Sequence, residues 1–307
     1  MTKTTPETIP LIDMDPFLRG TIDDRKVIAD EIFSAAKYTG FMYLKNFGLS
    51  QDLLTLAFDM ARTLFSSEDK AAIPFDPDLN HGYSGLMMES IGHNKTRDLK
   101  ESFTMRAVNH RPSGSEFWPS PFFESFARVF YKMNQKIASD VMRTFALALD
   151  LDEDYFDDKH TGLLQTIRFL HYPPLEVTQE GQMGVGEHTD SGTLTVLFQD
   201  AAGGLQVQSL DGDWIDAFPK EGTVVINTGE LLARWTNNVF RATPHRVVPR
   251  PSSATKGRQS IAFFSDPDPD VLISTFPSCI TADNPEKVSP VTAGEYITNN
   301  LRKNRIK

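Results

Sequence analysis

The stretch that decides the reading is Gly186-Glu187-His188-Thr189-Asp190, taken with Thr243-Pro244-His245 and Arg258-Gln259-Ser260 further along the chain. His188 and Asp190 are two residues apart, so on an extended segment both side chains leave the same face. They are placed to share one metal ion, with His245 as a third ligand from a distant strand. Two imidazoles and one carboxylate on one side of a metal leave the opposite positions open, which suits non-haem Fe(II) that must also bind oxygen and a cosubstrate. Arg258 offers a planar cationic fork for a carboxylate, and Ser260, two residues on, adds a hydroxyl on the same side. Taken singly, these residues also read as a surface histidine, a turn aspartate and a salt-bridged arginine. That reading accounts for each one separately and gives no reason for their order.

Around this stretch the pattern is one of short strands with turn signals. From Thr161 the candidates are Leu164–His171, Gly184–His188, Leu194–Gln199, Leu205–Gln208, Trp214–Ala217, Thr223–Asn227, His245–Val248 and Ser260–Ser265. Gly203-Gly204 and Asp211-Gly212 supply turns between them, and the segment from Pro249 to Gly257 reads as a longer hairpin loop. Eight strands in this order predict a double-stranded β-helix (jelly roll), whose interior can hold a small-molecule site.

Upstream, Ile9-Pro10-Leu11-Ile12-Asp13 reads as an edge strand, the only place in a sheet where Pro10 is tolerated. Asp23 or Asp24 is expected to cap a helix with Val27, Ile28, Ile32 and Ala36 on its apolar face, stopped by Gly40. Phe41 to Leu44 looks like a strand, and Ser50 caps a helix whose Leu54, Phe58, Ala61 and Phe65 share one face. The stretch from Asp76 to Pro119 shows no sustained periodicity and is expected to be an irregular segment, functional or mobile. Ser120-Pro121 opens the longest helix, with Phe122, Phe126, Val129, Phe130, Met133, Ile137, Val141 and Phe145 as its apolar face. Asp152 to Asp158 reads as a short acidic helix, and Thr292-Ala293-Gly294-Glu295 as a capping box opening a C-terminal helix with a basic tail. The predicted organisation is therefore an α/β N-terminal region (1–119), supporting helices (120–160), a jelly-roll core (161–268) and a C-terminal extension with a helix (269–307).

Composition bounds the rest. At 307 residues and 40% apolar, the chain can bury a large core. A formal net charge of −10 argues against nucleic acid or an anionic membrane as a general partner. A single cysteine, Cys279, excludes an internal disulfide and fits a reducing cytoplasm. No signal-peptide core follows the N-terminus and no apolar run is long enough to span a bilayer, so a cytoplasmic monomer or weak homo-oligomer is expected.

These motifs together resemble the isopenicillin N synthase-like family of Fe(II)/2-oxoglutarate-dependent dioxygenases, over nearly the whole chain. Ile226-Asn227-Thr228-Gly229-Glu230, Trp235-Thr236-Asn237-Asn238 and His245-Arg246-Val247 match the family's "I-N-x-G-[DE] … [ST]-N … H-R-V" run, and His171-Tyr172-Pro173 its "H-Y-P" segment. Asp98-Leu99-Lys100-Glu101 resembles its "D-x-K-E" segment beside the iron, read equally well as a solvated or salt-bridged turn. The resemblance implies that His188, Asp190 and His245 hold Fe(II). It further implies that Arg258, Ser260 and Tyr172 hold the distal carboxylate of 2-oxoglutarate, with O2 as the second cosubstrate and succinate and CO2 released. Leu170 stands where many members carry asparagine.

The expected activity is oxidation of a small molecule, by hydroxylation, desaturation, demethylation or ring formation. Two alternatives use the same residues. One is an Fe(II) oxidase of this fold that does not consume 2-oxoglutarate. The other is a zinc hydrolase with two histidines and one aspartate, which leaves Arg258 and Ser260 without a role. Lys95, Arg97, Lys100, Arg106 and Arg234 are candidates to meet an acidic substrate such as an amino-acid-derived or secondary metabolite, although ordinary surface charge is the expectation for most of them.

Overall fold

The computed structural model describes residues 8–90, 97–174, 182–250 and 257–303, with side chains as far as 300. The chain begins β1 (Leu11–Asp13), α1 (Asp15–Arg19), α2 (Ile22–Tyr38), β2 (Phe41–Lys45) and α3 (Gln51–Ser66). The cap of α2 is Thr21, not Asp23 or Asp24. Its hydroxyl accepts from the Asp24 backbone N–H, while the Asp24 carboxylate accepts from the Thr21 N–H at 2.8 Å, a reciprocal box that an aspartate cap would not make. Ser50 caps α3 as expected, accepting from the Leu53 N–H.

The segment expected to be irregular contains two strands, β3 (His81–Ser84) and β4 (Glu101–Arg106). β4 alternates buried apolar Phe103 and Met105 with polar Ser102, Thr104 and Arg106, and pairs antiparallel with both β3 and the next strand. α4 (Pro121–Ala148) follows, capped by Ser120. Most of its expected apolar face is buried, namely Phe126, Phe130, Ile137, Val141 and Phe145, but Phe122 is 63% and Val129 55% exposed, and Phe123 is buried in place of Phe122. Phe123 packs edge-on against both Phe103 and Phe169, and those contacts choose it over its neighbour Phe122. The acidic stretch after α4 is not an α-helix but a turn ending in a short 3-10 segment at Asp157–Lys159.

The β region then runs β5 (Thr166–Tyr172), β6 (Val185–His188), β7 (Leu194–Gln199), β8 (Leu205–Gln208), β9 (Trp214–Asp216), β10 (Thr223–Thr228), α5 (Glu230–Trp235), β11 (His245–Val247) and β12 (Arg258–Ser265). β13 (Leu272–Ile273), β14 (Val291–Thr292) and α6 (Ala293–Lys303) close the chain. All eight expected strands are present, with ends shifted by up to two residues. Thr292 caps α6 with half of the expected box: its hydroxyl accepts from the Glu295 N–H and donates to the Glu295 carboxylate, with no bond from the Thr292 N–H to that carboxylate among the described residues. Most of the hairpin loop before β12 (251–256), His93, Lys95 and the end of the basic tail lie outside the described residues.

An eight-stranded sheet has the order β1-β2-β10-β7-β12-β5-β4-β3 and faces a four-stranded sheet, β6-β11-β8-β9. This is the jelly roll with its large sheet extended at both ends. Side chains alternate across a strand, so the large sheet has two distinct faces. Phe103, Met105, Ile167, Phe169, Val196, Ile261 and Phe263 point outward into the main core shared with α2, α3 and α4. Tyr172, Leu170 and Ala262 point inward, toward Val185, Leu205, Val207 and Val247 of the small sheet. By the same alternation Arg168, Arg258, Ser260 and Phe264 lie on the inner face.

Candidate active site

His188 closes β6 and His245 opens β11, and the two are direct partners in the antiparallel pair. Their rings stand 4.2 Å apart between centroids. Each turns its Nδ1 to a nearby backbone carbonyl, His188 to Gly186 at 2.8 Å and His245 to Thr243 at 3.1 Å. A ring that donates from Nδ1 presents a bare Nε2 lone pair, the form a metal requires. Both Nε2 atoms point at Asp190 Oδ1, at 3.7 Å from His188 and 3.6 Å from His245. The other carboxylate oxygen, Oδ2, accepts from Thr195 Oγ1 at 2.6 Å and Asn227 Nδ2 at 2.7 Å. Three ligand atoms thus converge within 4.8 Å of one another, the one such group among the described residues. Burial, and next the facing His245, push His188 down to about 4, so it is a neutral ligand near pH 7. Burial alone would raise Asp190, but the two imidazoles and its two hydrogen bonds hold it below the usual carboxylate range. The donor set fits a divalent transition metal.

The turn that carries Asp190 is fixed from below. The first N–H groups of α5 donate to it, Glu230 to the Asp190 carbonyl at 2.8 Å and Leu231 to the Gly192 carbonyl at 3.0 Å. The Glu230 carboxylate accepts from Thr189 Oγ1 on one side and from Tyr296 Oη (2.7 Å) and Asn300 Nδ2 (3.0 Å) of α6 on the other. The C-terminal helix therefore latches onto the ligand loop.

At one end of the inner face, Arg258 pairs in register with Tyr172. Its guanidinium lies 4.6 Å from the Tyr172 ring centre, Nε donates to the Gly203 carbonyl at 2.7 Å and Nη1 to Ser260 Oγ at 3.0 Å. Nη2 makes no hydrogen bond among the described residues and is left for a ligand. Arg258, Ser260, Tyr172 and the three candidate ligands line one cavity, with about 590 Å³ of empty space including its mouth. Leu170 and Leu205 also line it, so position 170 brings no polar contact.

The Asp98 to Glu101 segment is neither solvated nor at the surface. Asp98 Oδ1 accepts from the Gly186 N–H at 3.1 Å, and Lys100 bridges Asp98 (3.1 Å) to Glu89 (2.9 Å), which also pairs with Arg168. Arg168 and Lys100 overcome the burial that would raise Glu89 and hold it well below the usual range. Of the other cations expected at the surface, Arg97 is exposed and Arg234 stacks on Tyr296, while Arg106 lines a second cavity beside His188 and Asp190. Asp266 lines it too; burial pushes its carboxyl up to about 7, with Arg106 drawing it back. His81 is a core residue among Phe103, Phe117 and Trp118, and Cys279 is a free buried thiol that lines neither cavity.

Sequence reasoning missed the supports: Thr195, Asn227 and Glu230 were visible only as parts of strands or motifs, and Asp266 gave no signal at all.

Comparison with known proteins agrees with this geometry. The model of the 2OG-Fe(II) oxygenase superfamily matches residues 163–267, and the model of the non-haem dioxygenase N-terminal region, described from morphine synthesis, matches residues 9–121. The 2-oxoglutarate-dependent dioxygenase htyE of Aspergillus rugulosus is 30% identical over 97% of this chain and 98% of its own length. Among solved structures, a full-length Neurospora crassa protein in complex with alpha-KG and thymine superposes with a TM-score of 0.87 at 32% identity, covering 99% of this chain and 98% of that one. A 2OG-Fe(II) oxygenase family protein from Caulobacter crescentus superposes with a TM-score of 0.83 at 29% identity, covering 96% and 99%. The chain belongs to the 2-oxoglutarate- and Fe(II)-dependent oxygenase superfamily. It is an oxidoreductase, an Fe(II)- and 2-oxoglutarate-dependent dioxygenase acting on a small molecule, and this selects among the readings that the sequence left open. No helix among the described residues is long and apolar enough to cross a membrane.

Proposed function

We propose that His188, Asp190 and His245 are the iron ligands, and that Arg258, Ser260 and Tyr172 hold the distal carboxylate of 2-oxoglutarate. The observation that carries the assignment is the convergence of two Nε2 atoms and one Oδ1 whose opposite atoms are all committed to hydrogen bonds. Bound there, Fe(II) supplies the oxygen activation that couples decarboxylation of 2-oxoglutarate to oxidation of the substrate. The protein's own part is placement. Thr195 and Asn227 keep one Asp190 oxygen turned away, so a single oxygen faces the metal position. Tyr172 and Gly203 hold the Arg258 guanidinium flat, so that a carboxylate meets a fork already oriented and loses little freedom on binding. Leu170, Leu205 and Val247 give the cavity apolar walls, which lower the local dielectric and strengthen that ion pair.

The substrate is a small polar molecule of secondary metabolism, oxidised by hydroxylation, desaturation, demethylation or ring formation. Support comes from the fungal relatives and from the Neurospora crassa protein, whose structures hold thymine or 5-formyluracil beside alpha-KG. The charge of −10 and the single cysteine support a cytoplasmic monomer or weak homo-oligomer that does not bind nucleic acid. His188→Ala and Asp190→Ala are expected to abolish Fe(II) binding and 2-oxoglutarate turnover; full activity in either variant would overturn the ligand assignment.

A further inference from the structure

The inner face of the large sheet ends in a second polar group that the iron and cosubstrate assignments do not use. Arg106 of β4 pairs in register with Thr166 of β5 and donates to its hydroxyl from Nε at 3.2 Å. Among the described residues its terminal nitrogens make no hydrogen bond, and no carboxylate lies within ion-pair distance. Asp266 follows the end of β12, on the same side as Phe264. It is 6% exposed and has neither a hydrogen-bond nor an ion-pair partner among the described residues. Its carboxylate lies against the Cα of Gly192, where a side chain would collide with it. Thr104, the next inward residue of β4, buries a hydroxyl that also lacks a partner among the described residues. Arg106, Asp266, Thr104 and Asn80 line one cavity with His188 and Asp190, with about 910 Å³ of empty space including its mouth, and Phe75 and Phe264 supply apolar walls.

A half-buried cation and a buried carboxyl normally close on each other, because a buried charge is costly to leave unpaired. Here Thr166 restrains one and Gly192 accommodates the other. They stay apart, yet remain near enough for Arg106 to act electrostatically on Asp266. The gap is complementary to a ligand that offers an acceptor to Arg106 and a donor to Asp266. Arg168 and Glu89 also line this cavity, but they are paired with each other and so offer no net charge. A free carboxylate would set its charge beside Asp266 and Asp190, and an ammonium would set its charge beside Arg106. A neutral amide edge satisfies both residues and adds no further charge beside them.

On the dioxygenase reading of the site, we infer that Arg106 and Asp266 are specificity-determining residues, and that the substrate carries an adjacent C=O and N–H, as in a lactam, ureide or imide. The C=O accepts from Arg106 and the N–H donates to Asp266, with the ring between Phe75 and Phe264.

The test is calorimetric titration of the whole protein loaded with Mn(II) and 2-oxoglutarate, using uracil and hydantoin as probes and 1,3-dimethyluracil, L-proline and acetate as controls. At least one of the two probes is expected to bind saturably and the controls not to bind. Arg106→Ala and Asp266→Ala should each weaken that binding by about tenfold or more, since each leaves a buried polar group unpaired. 2-Oxoglutarate affinity should not change in either variant, which shows that the site is still folded. Preference for proline or acetate, equal probe binding in the variants, or no probe binding while 2-oxoglutarate still binds would each overturn the inference. Failure to bind 2-oxoglutarate at all would instead overturn the cosubstrate assignment on which it rests.

Discussion

The inner face of the large sheet has two cationic ends, and they are built differently. At the β5/β12 end, Arg258 is stacked on Tyr172 and tied to Gly203 and Ser260. At the β4 end, Arg106 has one side-chain hydrogen bond among the described residues, to Thr166, and faces an open cavity with Asp266. The candidate metal ligands lie between the two. The first end is pre-organised for one unchanging ligand, a carboxylate, while the second keeps donor and acceptor uncommitted until a specific molecule joins them. A shared chemistry needs a rigid end, and a particular substrate needs an end whose groups are satisfied only by the right partner.

The largest expected effect strikes the midpoint that both ends share. Asn227→Ala frees Asp190 Oδ2 to swing toward the metal, and metal affinity should fall by about 10- to 100-fold. Metal titration of the apoprotein checks this; an unchanged affinity would mean that Thr195 alone orients the carboxylate. A smaller effect should sharpen the contrast between the ends. Tyr296→Phe removes one hydrogen bond from the Glu230 latch, and Ile297 of the same helix lines the Arg106 cavity. Substrate affinity should drop by about threefold, in keeping with one partly exposed hydrogen bond, and 2-oxoglutarate affinity should hold. Equal loss at both ends would show that α6 steadies the whole ligand loop and not the substrate side.

The smallest effect lies off the inner face and serves as a control for it. His171, Tyr83 and Lys70 converge on Glu101 and, against the burial that raises it, hold its carboxyl at about 2. In the unfolded chain it titrates near its ordinary value of 4.5. Between those values the unfolded state binds more protons, so stability falls as pH drops from about 4.5 toward about 2. Glu101→Gln should flatten that acid limb in thermal melts and leave the affinities at both ends unchanged. A melt profile identical to the wild type would remove Glu101 from the acid response.

Much of this was legible in the chain, for identifiable reasons. His188 and Asp190 are joined by local spacing, and the strands from β5 to β12 carry alternating patterns bounded by turns. β4 was missed although Glu101 to Arg106 alternates, because it is short, stands among Gly, Asn and charged residues, and is polar on its inner face. Most of the α4 face is legible from its spacing, but Phe122 and Phe123 are adjacent, and only Phe103 and Phe169 decide which of the two is buried. The charged segment from Asp98 to Glu101 reads equally as a part of the site or as a solvated or salt-bridged turn, since burial of such residues depends on partners far away in sequence. Asp266 was invisible for the same reason: its meaning comes from Arg106 and Gly192, each brought to it by the sheet.

The most direct test of the two-ended account is an anaerobic titration of 2-oxoglutarate into the Fe(II)-loaded protein, followed by visible charge-transfer absorption in wild type, Arg258→Ala and Arg106→Ala. The account expects a saturable band in the wild type, affinity lowered by about 30-fold or more in Arg258→Ala through loss of a charge-assisted pair, and wild-type affinity in Arg106→Ala. A band that weakens in Arg106→Ala and survives unchanged in Arg258→Ala would contradict it, placing the cosubstrate at the opposite end of the sheet.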